Sequence, residues 1–226
     1  MFMTRAVLSR PGDRPGGFDR RSNRRSAILE WHHRMIWSLF HVDGAGRRDF
    51  LWREVSRNRF LILSARPPRH SRDFLLEARP YSLALQRGDR IDFRLRVNAT
   101  CTSPEGRGRT DIVRREMLRF PTSGHVHDQR LAAARVAAPD WMVSQGVRSG
   151  FAVGEPAQDI MVKQYHVMRA LRKSGQPAVF GVLDLEGTLQ VTDPVQLCGA
   201  VAAGLGRARA FGCGLMLLGC GSAIAT

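Results

Sequence analysis

The segment Gly204-Leu-Gly-Arg-Ala-Arg-Ala-Phe-Gly-Cys-Gly214 puts four glycines into eleven residues, between a helical pattern and the apolar run Leu215-Met-Leu-Leu218. So little side chain forces a tight connection from helix to strand, and glycine adopts the left-handed backbone that such turns use. The same sparseness leaves N–H groups of Gly204, Gly206, Gly212 and Gly214 unshielded, while Arg207 and Arg209 add fixed positive charge. Together these suit a phosphate-bearing partner. The order helix, loop, strand reverses that of a dinucleotide or P-loop unit, and no Gly-Lys-Ser/Thr ending follows, so this is not a nucleotide-cofactor loop.

The elements upstream agree with an α+β chain. Residues 2–8 alternate as a strand, and 11–25 form a Pro/Gly/Arg-rich loop. From Ser26, an expected N-cap, apolar residues recur at Ile28, Trp31, Met35, Ile36, Leu39 and Phe40, the spacing of a helix with one buried stripe. A second helix is expected over 47–57 and a strand over 60–64, and 81–85 with 91–97 read as a hairpin turned at Gly88-Asp89. Residues 127–147 are helical in pattern, broken near Pro139. Two strand-rich stretches follow, 150–165 and 178–191, with Gly187 at a turn or bulge. Asp193-Pro194 opens a helix where proline's missing N–H costs little. Two tandem ferredoxin-like (RRM-like) domains account for this order: residues 1–100, a basic linker 101–120, residues 121–219, and a tail 220–226.

Composition narrows the partner. The 226 residues carry 35 basic against 20 acidic groups, a net charge of +15, and all basic residues but Lys163 and Lys173 are arginine. Such an excess favours nucleic acid or another anionic surface. Candidate contacts are Arg20, Arg21, Arg24 and Arg25 in the first loop, Arg107, Arg109, Arg114 and Arg115 in the linker, and Arg148. Cys101, Cys198, Cys213 and Cys220 form no Cys-x-x-Cys pair and no zinc-finger spacing, which fits free thiols in a reducing compartment. The start lacks a signal-peptide apolar core and no run of about twenty apolar residues occurs, so a cytoplasmic chain without a membrane contact is expected. His125-x-His127 alone falls short of a metal site, and no cofactor is implied.

Helical geometry separates the adjacent histidines of the first helix. At about 100° per residue, His32 falls inside the apolar stripe and His33 outside it. Glu30, three residues before His33, shares its side of the helix and is placed to tune the imidazole. The run Glu30-Trp-His-His-Arg-Met-Ile-Trp-Ser-Leu-Phe40, followed by Arg48-Asp-Phe-Leu-Trp52, resembles the first-helix region of the CRISPR-associated endoribonuclease CasE, the repeat-cleaving subunit of the surveillance complex Cascade. The strand 3–8, the stretch Asp92-Phe-Arg-Leu-Arg-Val-Asn98 and the glycine-rich ending agree in the same order.

That resemblance implies metal-independent cleavage of precursor CRISPR RNA at a repeat hairpin, by attack of a ribose 2′-OH to leave a 2′,3′-cyclic phosphate. The cleaved hairpin then stays bound beside other Cascade subunits. The family's catalytic histidine falls on His33. Its usual tyrosine is replaced by Glu30, which acts directly or tunes His33, and Arg34 is a candidate for stabilising the phosphorane. The replacement leaves open a non-catalytic RNA-binding subunit of the same fold. The resemblance also implies that the glycine-rich segment lies against the catalytic helix, bringing Arg207 and Arg209 near His33.

Overall fold

The structure is a computed structural model that describes residues 1–9, 24–40, 48–103, 106, 108–119, 125–154, 160–171 and 177–219. Residues 10–23 and 220–226, which include most of the first basic loop and the tail, lie outside the described residues. The chain divides into two compact units. The first holds 1–82, 168–179 and 209–212, and the second holds 83–167, 180–208 and 213–226.

In the first unit, β1 (Phe2–Leu8) leads into α1 (Arg24–Ser38), then β2 (Phe50–Ser56), β3 (Arg59–Ser64) and β4 (Phe74–Pro80). The strands form one sheet in the order β2-β3-β1-β4, every pairing antiparallel. This is the ferredoxin-like order, with the second and first strands separated by the third. One helix serves it, because residues 65–73 join β3 to β4 without another. Ala6, Ile36, Trp52, Phe60 and Ile62 form the heart of its core, each at most 2% exposed. Helix α1 starts two residues ahead of Ser26, so that residue lies inside the helix and is not its cap.

The helix expected over 47–57 is instead β2. Phe50, Leu51 and Trp52 are buried in succession, and the strand folds back on β3 through Arg57-Asn58. Asn58 takes φ +62, and its N–H donates to Glu54 Oε1 at 3.2 Å. An asparagine tolerating left-handed backbone set this turn, against a helical spacing that the charged residues 53–57 only mimic.

The second unit is built on β5 (Arg90–Val97), β8 (Phe151–Val153), β10 (Pro177–Val191) and β11 (Met216–Gly219), in the order β11-β5-β10-β8 with β9 (Ile160–Leu171) also on β10. Its strands therefore repeat the order of the first sheet. A small hairpin, β6 (Thr100–Thr102) with β7 (Arg109–Asp111), is followed by α2 (Ile112–Arg119), α3 (Val126–Ser149) and, ahead of β11, α4 (Pro194–Ala203). Residues 101–120 thus carry structure of their own, with Ile112 and Val113 at most 2% exposed.

Three local expectations are corrected here. Residues 81–85 form no strand, since both edges of β5 are taken by β10 and β11; the Gly88-Asp89 turn instead ties to Val191 through two backbone hydrogen bonds of 2.8 Å. Helix α3 runs unbroken through Pro139. Burial of Ala134, Ala138, Trp141 and Met142 along one face outweighs a bond whose loss costs about 3 kcal/mol. Gly187 sits in regular register opposite Phe93, with no bulge. Helix α4 opens at Asp193-Pro194 as expected, with Pro194 in the first turn, and the Asp193 side chain caps it by accepting from the Gln196 N–H at 3.0 Å.

Candidate functional site

Helix α1 divides its two histidines as its apolar stripe requires. His32 is 3% exposed and lies among the rings of Trp31, Phe60 and Trp52 at 5.3, 4.9 and 6.4 Å, with Nδ1 3.7 Å from Glu54 Oε2. That histidine is core. His33 is half-buried. Its ring stands 5.8 Å from Trp37, one helical turn on, and 6.1 Å from Phe211. Glu30 is half-buried on the same helix and Arg34 is exposed.

Phe211 arrives from the glycine-rich segment, and the local chemistry of that segment explains how. Gly204 ends α4 at φ +79, its N–H donating to Ala200 O at 2.8 Å. A Cβ on Gly206, at φ +69, would stand 2.4 Å from Val97 Cγ2. Arg207 N–H donates to Asn98 O at 3.1 Å, and Gly214 N–H to Arg96 O at 2.7 Å. The amides of Gly204 and Gly214, expected to face an anion, are thus spent on protein carbonyls. Residues 205–208 and 213–214 belong to the second unit, with Arg207 exposed there.

Residues 209–212 belong to the first unit. Ala208 takes φ +55, and Arg209–Phe211 then form one 3-10 turn that packs on α1 and β2. Trp52 Nε1 donates to Ala210 O at 3.2 Å. Gly212, at φ +78, lies so close to Trp52 that a Cβ would meet the ring at 3.2 Å.

The turn brings charge as well as a ring. Arg209 acts on Arg48, two residues ahead of β2 in the same unit; burial first, and the Arg209 charge second, push the Arg48 guanidinium below its ordinary value. The neighbouring carboxylate is occupied elsewhere, because Asp49 Oδ2 accepts from Arg66 Nε at 2.9 Å. Among the described residues no carboxylate pairs with Arg48. Sequence reasoning passed over Arg48, Trp37 and Phe211; all three stand in the stretches that carried the family resemblance, but nothing in one-dimensional spacing joins residue 48 to residue 209.

Of the other candidates, Arg109 on β7 and Arg148 on α3 are exposed in the second unit, Arg148 Nε donating to Ser144 O at 3.2 Å. Arg24 and Arg25 open α1, while Arg20, Arg21 and Arg107 lie outside the described residues. Among the described residues no group of three His, Cys, Asp or Glu is placed to hold a metal, and no helix is long and apolar enough to cross a membrane.

Two sheets of the same permuted strand order make this an α+β protein of tandem ferredoxin-like units, the first of which gathers a half-buried histidine, aromatic rings and two arginines. A family model described as CRISPR associated protein matches residues 1–219. The chain belongs to that CRISPR-associated family.

Solved structures share the fold. Thermus thermophilus Cse3 bound to an RNA representing a pre-cleavage complex is 20% identical, with a TM-score of 0.66 over 96% of this chain and 98% of that one. Cas6e from Escherichia coli str. K-12 is 20% identical, with a TM-score of 0.54 over 96% and 98%. A chain of a CRISPR RNA-guided surveillance complex, pre-nicking, gives 20% and 0.60 over 96% and 99%. No curated protein matches the chain.

Proposed function

We propose that this chain is a CRISPR repeat endoribonuclease that cuts precursor RNA at a repeat hairpin and keeps the product hairpin as a subunit of a surveillance complex. The observation that carries the reading is His33, half-buried on α1, with Phe211 from the glycine-rich turn against its ring. Family membership and the RNA-bound and complex-bound states of the Cse3 and surveillance-complex structures support it.

The reaction needs one proton removed and one supplied. The 2′-OH upstream of the scissile phosphate loses its proton and attacks phosphorus in line; the P–O5′ bond breaks, O5′ takes up a proton, and a 2′,3′-cyclic phosphate and a 5′-OH result. An imidazole titrating near neutrality serves either transfer, and cations offset the charge growing on the phosphoryl oxygens. His33 takes the first role. Glu30 is its proposed partner, and the reaction is proposed to need no metal.

Incubating the protein with its repeat hairpin in excess chelator tests the reading. The expected product ends in a cyclic phosphate, and His33→Ala loses about 10²–10⁴-fold in single-turnover rate, with hairpin affinity within about threefold of wild type. Glu30, standing where the family usually has tyrosine, gives one specific reason for a second reading, a non-catalytic RNA-binding subunit. Tight binding with no cyclic-phosphate product from wild type would establish that reading and end the first.

A further inference from the structure

Strand β2 braces two separate walls around one side chain. Phe50 and Trp52 are two residues apart, so they leave the strand on the same face. Phe50 stacks on Phe40 at 4.7 Å and meets Trp37 at 5.5 Å, and Trp37 in turn stands 5.8 Å from His33 with 60° between the ring planes. Trp52 holds the 3-10 turn, donating from Nε1 to Ala210 O at 3.2 Å and lying against Gly212. That turn sets Phe211 6.1 Å from His33, at 50°. Both separations fall in the range of direct aromatic contact, and all of these residues belong to the first unit. Core packing alone does not account for the arrangement. His33, Trp37 and Phe211 are each only half-buried, and the turn that carries Phe211 follows a left-handed Ala208, a backbone alanine adopts only at a cost.

We infer that Phe211 is a positioning residue that, together with Trp37, holds the His33 imidazole in one orientation for proton transfer. The inference rests on the ribonuclease reading for its effect on rate and on the ring contacts alone for the fixed orientation. An imidazole on a half-buried helix position turns about two side-chain bonds. Trp37, one turn on along the same helix, limits it from one side, and Phe211 closes another from the glycine-rich segment. Proton transfer needs its two partners aligned and within hydrogen-bond reach, so a ring held beforehand spares the entropy of arresting it in each encounter. Phe211 has no proton to exchange and therefore acts through His33.

Phe211→Leu keeps an apolar side chain and removes the ring, whereas Phe211→Tyr keeps the ring. Single-turnover cleavage in chelator should fall about 10–10²-fold in Phe211→Leu and recover most of that loss in Phe211→Tyr. Affinity for a hairpin made uncleavable by a 2′-deoxy substitution should stay within about threefold of wild type, which confines the loss to rate. In a His33→Ala background, Phe211→Leu should cost less than about threefold more, because no imidazole remains to be positioned. Equal losses in the two backgrounds, or a fall in hairpin affinity that matches the fall in rate, would make Phe211 an RNA contact or a packing residue and overturn the inference.

A second measurement needs no activity. In protein isotopically labelled at its histidine rings, nuclear Overhauser contacts should join the His33 ring protons to both Trp37 and Phe211. Phe211→Leu should weaken the contact to Trp37 while melting within about 4 °C of wild type, and Phe211→Tyr should retain it. An undiminished Trp37 contact in Phe211→Leu would show that α1 alone holds the ring, and a larger drop in melting temperature would make Phe211 a packing residue; either result overturns the inference. If wild type makes no product but the Trp37 contact weakens in Phe211→Leu, the ribonuclease reading fails and the fixed ring stands.

Discussion

Asp111 closes β7 and opens α2, and its short side chain serves both. Oδ1 accepts from the N–H groups of Val113 and Arg114 at 2.9 and 3.1 Å, two donors that a helix start otherwise leaves unpaired. The Tyr165 hydroxyl lies 3.4 Å from the same oxygen, and a Cβ on Gly181 would come within 2.3 Å of both groups, so only glycine fits there. Burial pushes the carboxyl above its ordinary value, more than its hydrogen bonds pull it down, and Tyr165 is raised with it. An acid whose pKa is higher folded than unfolded stabilises the fold when protonated. That contribution is complete below the unfolded pKa and is lost as pH rises through the folded one. Asp111→Asn retains an acceptor at Oδ1 and cannot ionise. Urea midpoints taken from neutral pH down into the carboxylate range should therefore show wild type gaining on Asp111→Asn as pH falls. Parallel midpoints would show that the charge is solvated after all.

At the level of elements, the glycines of the segment 204–214 supply the left-handed backbone at its turns. Gly212→Ala forces a left-handed alanine, at about 1–2 kcal/mol, and presses a methyl toward the Trp52 ring. It should lower unfolding free energy by at least that amount and slow cleavage further, because Phe211 and Arg209 ride on the turn. Gly199→Ala, inside α4 with nothing within 4 Å, should stabilise by about 0.5–1 kcal/mol. Thermal melts and single-turnover rates on the pair separate connector from bystander.

Much of this level was legible in sequence, since α1, α4 from its Asp193-Pro194 start, β1 and β11 follow from periodicity and the placement of proline. So was the split between His32 and His33, because the stripe of one helix fixes which residue turns inward. What escaped depends on partners distant in sequence. Phe50–Ser56 is a strand because β3 lies beside it; residues 81–85 are not, because β5 has no open edge. Arg209 acts on Arg48 only because the chain returns to the first unit at 209–212, after residues 83–167 and 180–208 of the second.

For the whole molecule, the net charge of +15 matters through where it is cancelled. On β5 and β10, Arg96 faces Asp184 across the ladder with two 2.9 Å bonds, and Glu186 takes Arg94 at 3.4 Å and Lys163 at 3.8 Å. Two carboxylates there offset three basic groups, so these arginines hold less of a counterion layer for RNA to displace. Exposed Arg109 and Arg148 carry no such carboxylate among the described residues, so the surplus lies with residues of their kind. Each phosphate neutralised by such a group releases condensed counterions and steepens the salt dependence of binding by about 0.7–0.9 in log–log slope. Contact with roughly six phosphates then gives a slope of about −4 to −5. Filter binding of the uncleavable hairpin across a salt series should return that slope. Arg109→Ala should make it shallower by about 0.7–0.9, whereas Arg94→Ala, which breaks an internal pair, should leave it unchanged. A wild-type slope no steeper than about −2 would mean fewer than three phosphates are neutralised, and the basic surface would then not be the RNA-binding surface.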